Sequence, residues 1–240
     1  MKIADSTILV TGANRGIGKA LVDEALNRGA NRIYAGARQQ FAHADRRVTS
    51  VILDVTNAVQ IRAAVEKVDA VDILINNAGI SVQNDLSDRA ALERLLAVNL
   101  FGTYDVTQAF LPVLTGSRSA IVNILSLASI AAVPFDPLYS ISKAAAFSLS
   151  QSLRALLAGQ GVSVHIVLPG PIDTDMTRNL DIPKASPEST ARAILDGVEK
   201  EEEEIFPDPM SQAIAEGWRK GAIKELQRQF AAYVDQTPGK

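Results

Sequence analysis

Short apolar runs alternate along this chain with segments of helical periodicity, and this alternation limits the possible folds more than any other feature. The runs are rich in Ile, Val and Leu, as buried strands are, and they lie at residues 7–10, 32–35, 48–53, 71–75, 120–125, 162–168 and 204–206. Parallel strands need crossover connections, and both faces of a parallel sheet must be covered. We therefore predict a doubly wound, Rossmann-like α/β fold, with a mostly parallel sheet of about seven strands and helices on both faces.

The predicted helices fill the gaps between these runs. Apolar residues form one stripe at residues 19–28 and at 58–68, and two longer helical stretches, 88–114 and 138–158, flank the fifth predicted strand. The longer pair either exposes a face for self-association or simply covers the sheet, and the pattern leaves both alternatives open. A further helix is predicted at residues 187–197.

The region after the sixth predicted strand is expected to form one wall of a substrate cleft. Only a short loop, about residues 175–187, precedes the next helix, so we expect a small lid over an open or modest pocket. A C-terminal extension, about residues 208–240, is predicted to contain one helix at 211–233, and the whole chain, 1–240, to form a single domain. The residues expected to be buried in that helix are Ile214, Trp218, Ile223, Leu226, Phe230 and Val234.

The composition excludes several classes of protein and site. The chain contains no cysteine, so disulfides, thiolate metal sites and a cysteine nucleophile are excluded. A net charge of -3 gives no electrostatic reason to bind nucleic acid. The longest uncharged apolar run, residues 119–135, is too polar for a good membrane span, and residues 1–6 do not resemble a signal peptide. We therefore expect a cytoplasmic protein whose partners include neither nucleic acid nor a membrane.

A glycine cluster, TGANRGIG at residues 11–18, follows the first predicted strand and opens the first helix. Glycines allow a tight turn and a close approach to a pyrophosphate, and the helix amino terminus offers N–H groups and positive dipole. The second predicted strand ends at Arg38, where an NAD enzyme usually carries an acidic residue for the ribose hydroxyls. Arg38 and Arg15 favour NADP(H), because they can pair with a ribose phosphate; the alternative is that both are ordinary exposed arginines.

Tyr139 and Lys143 are four residues apart in a predicted helix, so their side chains can project into one cleft. The ammonium would stabilise a phenolate and so lower the pKa of Tyr139 toward neutrality, which would make the phenol a usable acid or base. Ser126 lies upstream, at the carboxyl end of the fifth predicted strand. Ligands of open α/β sheets gather at such ends, so Ser126 could hold a substrate oxygen.

These motifs closely resemble those of the short-chain dehydrogenase/reductase family. The resemblance covers about residues 5–206 and includes NNAG at 76–79, VNLFG at 98–102 and PGPIDT at 169–174. It implies that Tyr139 is the acid or base and that Ser126 hydrogen-bonds the reacting oxygen. It also implies that Lys143 binds the nicotinamide ribose and that Asn99 supports a water-linked proton relay. The family often has two serines where this chain has Leu125 and Ser126, but the serine at the catalytic spacing is retained.

The resemblance also implies a set of cofactor contacts along the NADP(H) molecule. Asp54 and Val55 would contact the adenine, residues 76–79 would lie along the cofactor, and Ile172 and Thr174 would hold the nicotinamide amide. The full predicted set is Gly12, Asn14, Arg15, Gly16, Ile17, Gly18, Arg38, Asp54, Val55, Asn76, Ala78, Gly79, Tyr139, Lys143, Pro169, Gly170, Ile172 and Thr174.

The implied activity is NADP(H)-dependent interconversion of a carbonyl and an alcohol on a small molecule, and preference for NADP(H) favours reduction. No metal is implied, and His43 and His165 are predicted to lie in a loop and a strand rather than in the site. The resemblance implies a homodimer or homotetramer. Two alternatives remain: a non-catalytic NADP(H)-binding sensor or scaffold on the same fold, and an isomerase or lyase, which the compact length disfavours.

Overall fold

In the part of the chain that the structure describes, seven parallel strands form one sheet in the order β3-β2-β1-β4-β5-β6-β7. The structure is a computed structural model and describes residues 1–82, 85–114 and 118–234. The strand order reverses between β1 and β4, and this reversal opens a crevice at the carboxyl ends of the strands. The strands are β1 (Thr7–Thr11), β2 (Arg32–Ala37), β3 (Val48–Ile52), β4 (Ile73–Asn76), β5 (Ser119–Ile124), β6 (Val162–Val167) and β7 (Glu204–Ile205).

Helices cover both faces of the sheet, which confirms the predicted doubly wound fold. Successive side chains of β1 alternate between two cores: Ile8 packs with α1 and α6, whereas Leu9 packs with α2, α4 and α5. No helix in the described part of the chain is both long and apolar enough to cross a membrane. The helices are α1 (Gly16–Asn27), α2 (Ala58–Lys67), α3 (Arg89–Leu96), α4 (Thr103–Leu114), α5 (Pro137–Leu157), α6 (Pro187–Glu199), α7 (Pro209–Arg219) and α8 (Ala222–Ala231).

The helix predicted over residues 88–114 is interrupted. A π-helical segment, Ala97–Gly102, lies between α3 and α4, and it contains Asn99, one of the predicted site residues. Such segments occur frequently at functional sites. A pattern of apolar residues does not distinguish a π-helical turn from an α-helical one, so the sequence predicted one continuous helix here.

The prediction of one C-terminal helix is wrong, because the chain breaks into α7 and α8 at Gly221. This glycine has an extended backbone, and a Cβ there would lie 2.9 Å from the Gly217 carbonyl oxygen. The break orients α8 so that Lys224 is buried. Of the six residues predicted to be buried, Trp218 and Val234 are half-buried. The other four are exposed: Ile214, Ile223, Leu226 and Phe230.

A buried ionic cluster fastens this extension to the edge of the sheet. Lys224, only 3% exposed, donates to both carboxylate oxygens of Glu204, at 2.9 and 2.6 Å. Arg154 of α5 donates to the same carboxylate at 2.6 Å. Because each buried charge has a partner of opposite sign, the cluster fixes α8 against β7 and α5.

Candidate active site

The glycine-rich turn joins β1 to α1 at the crevice. Gly12 and Gly16 have φ values of +64° and +52°, a region that strongly favours glycine. A Cβ on Gly18 would lie 2.2 Å from the Gly12 carbonyl oxygen, so α1 begins in direct contact with the loop backbone. The amide of Asn77 donates to the carbonyl oxygens of Thr11 and Gly12 at 2.9 and 3.1 Å. These contacts hold the segment in a tight turn, and its backbone lies at the crevice.

Arg15 precedes α1 and is directed across the crevice. Its guanidinium donates to the Asp175 carboxylate at 3.1 Å, and both side chains are largely exposed. Arg15 is the N-cap residue of α1 and makes no side-chain cap hydrogen bond, so it leaves the N–H groups of the first turn available to an anion. Thr174 approaches the same turn, since its methyl group would lie 3.2 Å from a Cβ on Gly16.

The ends of β2 and β3 lie beside the glycine turn. The Ala13 N–H donates to the Gly36 carbonyl oxygen at 2.9 Å, which places Arg38, exposed just beyond β2, at the same edge. Asp54, just beyond β3, accepts from the N–H and hydroxyl of Thr56 at 2.9 and 2.7 Å. The next residue, Val55, is buried.

Asn99 and Lys143 meet at the loop after β4. The Asn99 amide donates to the Ile80 carbonyl oxygen and to the Ser142 hydroxyl, both at 2.9 Å, and so ties this loop to α5. Lys143 is 5% exposed and donates to the Ile124 carbonyl oxygen at 3.0 Å. A Cβ on Gly79 would lie 3.3 Å from the Asn99 amide oxygen and 3.5 Å from the Lys143 nitrogen.

Tyr139 completes the group of polar side chains. The Ser126 side chain lies close enough to affect the pKa of the Tyr139 phenol, and the Ser126 hydroxyl accepts from the Ala128 N–H at 3.1 Å. The Lys143 nitrogen lies 5.8 Å from the centre of the Tyr139 ring. The structure therefore brings together all four residues of the predicted tetrad: Asn99, Ser126, Tyr139 and Lys143.

The predicted lowering of the Tyr139 pKa is wrong. The pKa of Tyr139 is raised to about 12, chiefly by burial; the nearby Ser126 hydroxyl opposes this rise, and the charge of Asp136 adds to it. Burial also lowers the pKa of Lys143 to about 8. Removal from water penalises the charged form of each group. This cost, and not an attraction between ammonium and phenolate, dominates the pKa of Tyr139.

The residues of NNAG, 76–79, differ in their roles. The Asn76 amide is buried and donates to the Thr107 hydroxyl and the Asn123 amide oxygen at 3.0 and 2.9 Å. Its side-chain oxygen is buried and has no hydrogen-bond partner among the described residues. Asn77, which was predicted to lie along the cofactor without a specific contact, instead braces the glycine turn. The signal for that role in the sequence was the asparagine side chain just after the fourth predicted strand. Ala78 donates through its N–H to the Thr11 hydroxyl at 3.0 Å.

The loop after β6 borders the group of polar side chains formed by the tetrad. The Pro169 carbonyl oxygen accepts from the Leu127 N–H at 2.9 Å, so this loop lies beside Ser126. The Gly170 N–H donates to Asp208 at 2.8 Å, and Ile172 is buried. Asp208 was missed because it lies in the C-terminal extension, outside every motif of the sequence.

The fold and this site define an α/β dinucleotide-fold protein with a paired tyrosine and lysine beside a glycine turn. The family model for short chain dehydrogenase matches residues 6–184, and the chain belongs to the short-chain dehydrogenase/reductase family of oxidoreductases.

Two relatives and one solved structure show the range of similarity. An uncharacterized oxidoreductase of Staphylococcus saprophyticus is 32% identical over 197 residues, 75% of this chain and 84% of the relative. The 3-ketodihydrosphingosine reductase of Bacteroides thetaiotaomicron is 30% identical over 182 residues, 73% and 67% of the two chains. The crystal structure of a short chain dehydrogenase from Burkholderia cenocepacia J2315 in complex with NADP is 36% identical, with a TM-score of 0.87, and the match covers 95% of this chain and 98% of that chain.

Proposed function

We propose that this protein is an NADP(H)-dependent oxidoreductase that interconverts a small-molecule carbonyl compound and its alcohol, and that it works chiefly as a reductase. The observation that carries the proposal is the group formed by Tyr139, the adjacent Ser126 and Lys143, whose nitrogen lies 5.8 Å from the centre of the phenol ring. Membership of the oxidoreductase family and the reductase named among the relatives support it.

The crevice fits a phosphorylated dinucleotide. Gly18 leaves no room for a side chain between α1 and the turn, and the α1 amino terminus offers N–H groups to a pyrophosphate. Arg38 and Arg15 supply positive charge at the two sides of the turn. Arg15 must leave Asp175 to contact a ribose phosphate. The NADP complex of the Burkholderia protein, which is 36% identical, supports the same cofactor here.

The protonated phenol of Tyr139 suits the role of proton donor in carbonyl reduction. When bound, NADPH supplies the hydride that the carbonyl carbon receives. A phenol with a pKa of about 12 stays protonated at neutral pH, so Tyr139 donates its proton to the oxygen as negative charge develops there. Ser126 donates a hydrogen bond to the same oxygen. In the reverse direction the same group would accept the proton of the alcohol.

Lys143 and Asn99 hold this arrangement. Below a pH of about 8 Lys143 carries a positive charge, which suits the binding of ribose hydroxyls on the cofactor. Asn99 ties the loop after β4 to α5 through its hydrogen bonds to Ile80 and Ser142. Its position next to Lys143 and its π-helical segment support a role in relaying the proton through ordered water.

Replacing Arg38 with alanine tests the cofactor preference. We expect NADPH to bind the wild-type protein at least about tenfold more tightly than NADH, and the substitution to weaken NADPH binding by about tenfold with little effect on NADH. A charge-assisted contact to one phosphate has about this value. Fluorescence titration of the purified protein with each cofactor measures both constants. Arg62→Ala, which removes an exposed arginine from α2, is the control, and equal binding of NADH and NADPH by the wild type would contradict the assignment.

We further propose that the protein is a homodimer or homotetramer. Phe101, Tyr104 and Ile141 are exposed apolar side chains at or beside the long helices α4 and α5, and such residues favour association when they lie together. We expect static light scattering at micromolar concentration to give two or four times the chain mass. A monomer under those conditions would refute the expectation.

A further inference from the structure

The C-terminal extension is bonded directly to the loop that borders the site. Asp208, which is 2% exposed, accepts from the Gly170 N–H at 2.8 Å and from the Ser211 hydroxyl at 2.7 Å through one oxygen. Its other oxygen accepts from the N–H groups of Met210 and Ser211, both at 3.1 Å. One buried carboxylate therefore caps α7 and fixes the position of Gly170.

Met210 lies against that glycine. A Cβ on Gly170 would lie 3.2 Å from the Met210 Cβ and 3.3 Å from its sulfur. Nevertheless, 49% of Met210 is exposed, although it is a large apolar residue in the first turn of α7. Gly170 is adjacent to Pro169, whose carbonyl oxygen accepts from the Leu127 N–H. Two contacts therefore link Met210 to the segment that begins at Ser126: its own contact with Gly170 and the hydrogen bond between Leu127 and Pro169.

The last turn of α7 packs on α5. Trp218 packs edge to face on Phe147 of α5, with 5.7 Å between the ring centres. The same apolar cluster includes Leu127 and Ile130, which follow Ser126 in the chain. The helix is thus fastened at its first turn to the loop after β6 and at its last turn to α5, which also carries Tyr139.

We propose that α7 forms one wall of the substrate cleft of its own subunit and that Met210 is a specificity-determining residue. Its exposed side chain would contact an apolar substituent of the carbonyl substrate, a role that suits a flexible and polarisable side chain. The substrate class is then carbonyl compounds with an extended apolar group. This inference rests on the proposed reductase activity and adds to it a residue from outside the region matched by the family model.

The first test compares straight-chain aldehydes from propanal to octanal at saturating NADPH. We expect kcat/KM of the wild type to rise with chain length, and Met210→Ala to reduce the ratio of octanal to propanal by on the order of tenfold. NADPH binding should not change. Ile223→Ala removes a similarly exposed apolar side chain from α8 and should leave the ratio unchanged. Turnover of the series with the same ratio in Met210→Ala overturns this inference alone, whereas absence of turnover for every carbonyl overturns the proposed function.

A second test needs no turnover. Because the chain has no cysteine, Met210→Cys and Ile223→Cys each introduce a single thiol that can be labelled with a bulky maleimide. We expect NADPH together with an aliphatic alcohol to slow labelling of the Met210→Cys protein by about fivefold or more, since a cleft covers most of its ligand. Labelling of the Ile223→Cys protein should be unaffected. Equal labelling rates of the Met210→Cys protein with and without these ligands would overturn the inference.

Discussion

Replacing Tyr139 with phenylalanine should lower kcat for carbonyl reduction by about 10³-fold and leave NADPH affinity within about twofold, because general acid catalysis contributes about 10² to 10⁴. The substitution removes only the hydroxyl. The ring remains to pack with Ile80 and Leu92 in its apolar cluster, so the fold should be preserved. The initial rate of NADPH oxidation measures kcat, and fluorescence titration measures affinity.

The control for this variant is Tyr233→Phe. Tyr233 follows α8 and is 59% exposed, so removing its hydroxyl should change neither quantity. Turnover of Tyr139→Phe at the wild-type rate would rule out the phenol as the proton donor. A protein that binds NADPH but reduces no carbonyl, with or without the substitution, would instead support the non-catalytic sensor or scaffold.

The strands and the two covered faces of the sheet could be predicted because each depends on local pattern. Apolar runs identify strands that are buried on both faces, and a glycine cluster after the first run identifies the turn at the crevice. The C-terminal extension could not be predicted in this way. Apolar spacing shows that α8 is amphipathic, but the break at Gly221 and the buried pairing of Lys224 with Glu204 determine which face meets the protein.

Local spacing likewise predicted that Tyr139 and Lys143 share a face, but not their pKa values. The pKa of each depends on removal from water, which is a property of the packed structure rather than of the spacing. Asp208 shows the same limit, since its bond to Gly170 joins segments far apart in the chain. A sequence motif therefore identifies the reacting groups more readily than it identifies the residues that hold them.

Replacing Lys143 with methionine should increase the free energy of unfolding while reducing turnover by at least about 10²-fold. Lys143 is 5% exposed, and burial lowers its pKa from 10.5 to about 8. Holding the ammonium charged in this environment costs at most about 3 kcal/mol, and methionine fills a similar volume without a charge. We expect a gain of about 1–3 kcal/mol at pH 7, because the lost hydrogen bond to Ile124 offsets part of it.

The pH dependence of stability shows whether the gain comes from removing the buried charge of Lys143 or from better packing of methionine. Between about pH 8 and 10.5 the unfolded chain holds the Lys143 proton more firmly than the folded protein does, so wild-type stability should rise with pH across this window. The advantage of Lys143→Met should therefore be largest below pH 8 and shrink toward pH 10.5, as measured by urea unfolding at both ends. Lys220→Met, which removes an exposed lysine, should show no such change. A Lys143→Met protein less stable than the wild type at pH 7 would mean that the ammonium is better solvated than its burial implies.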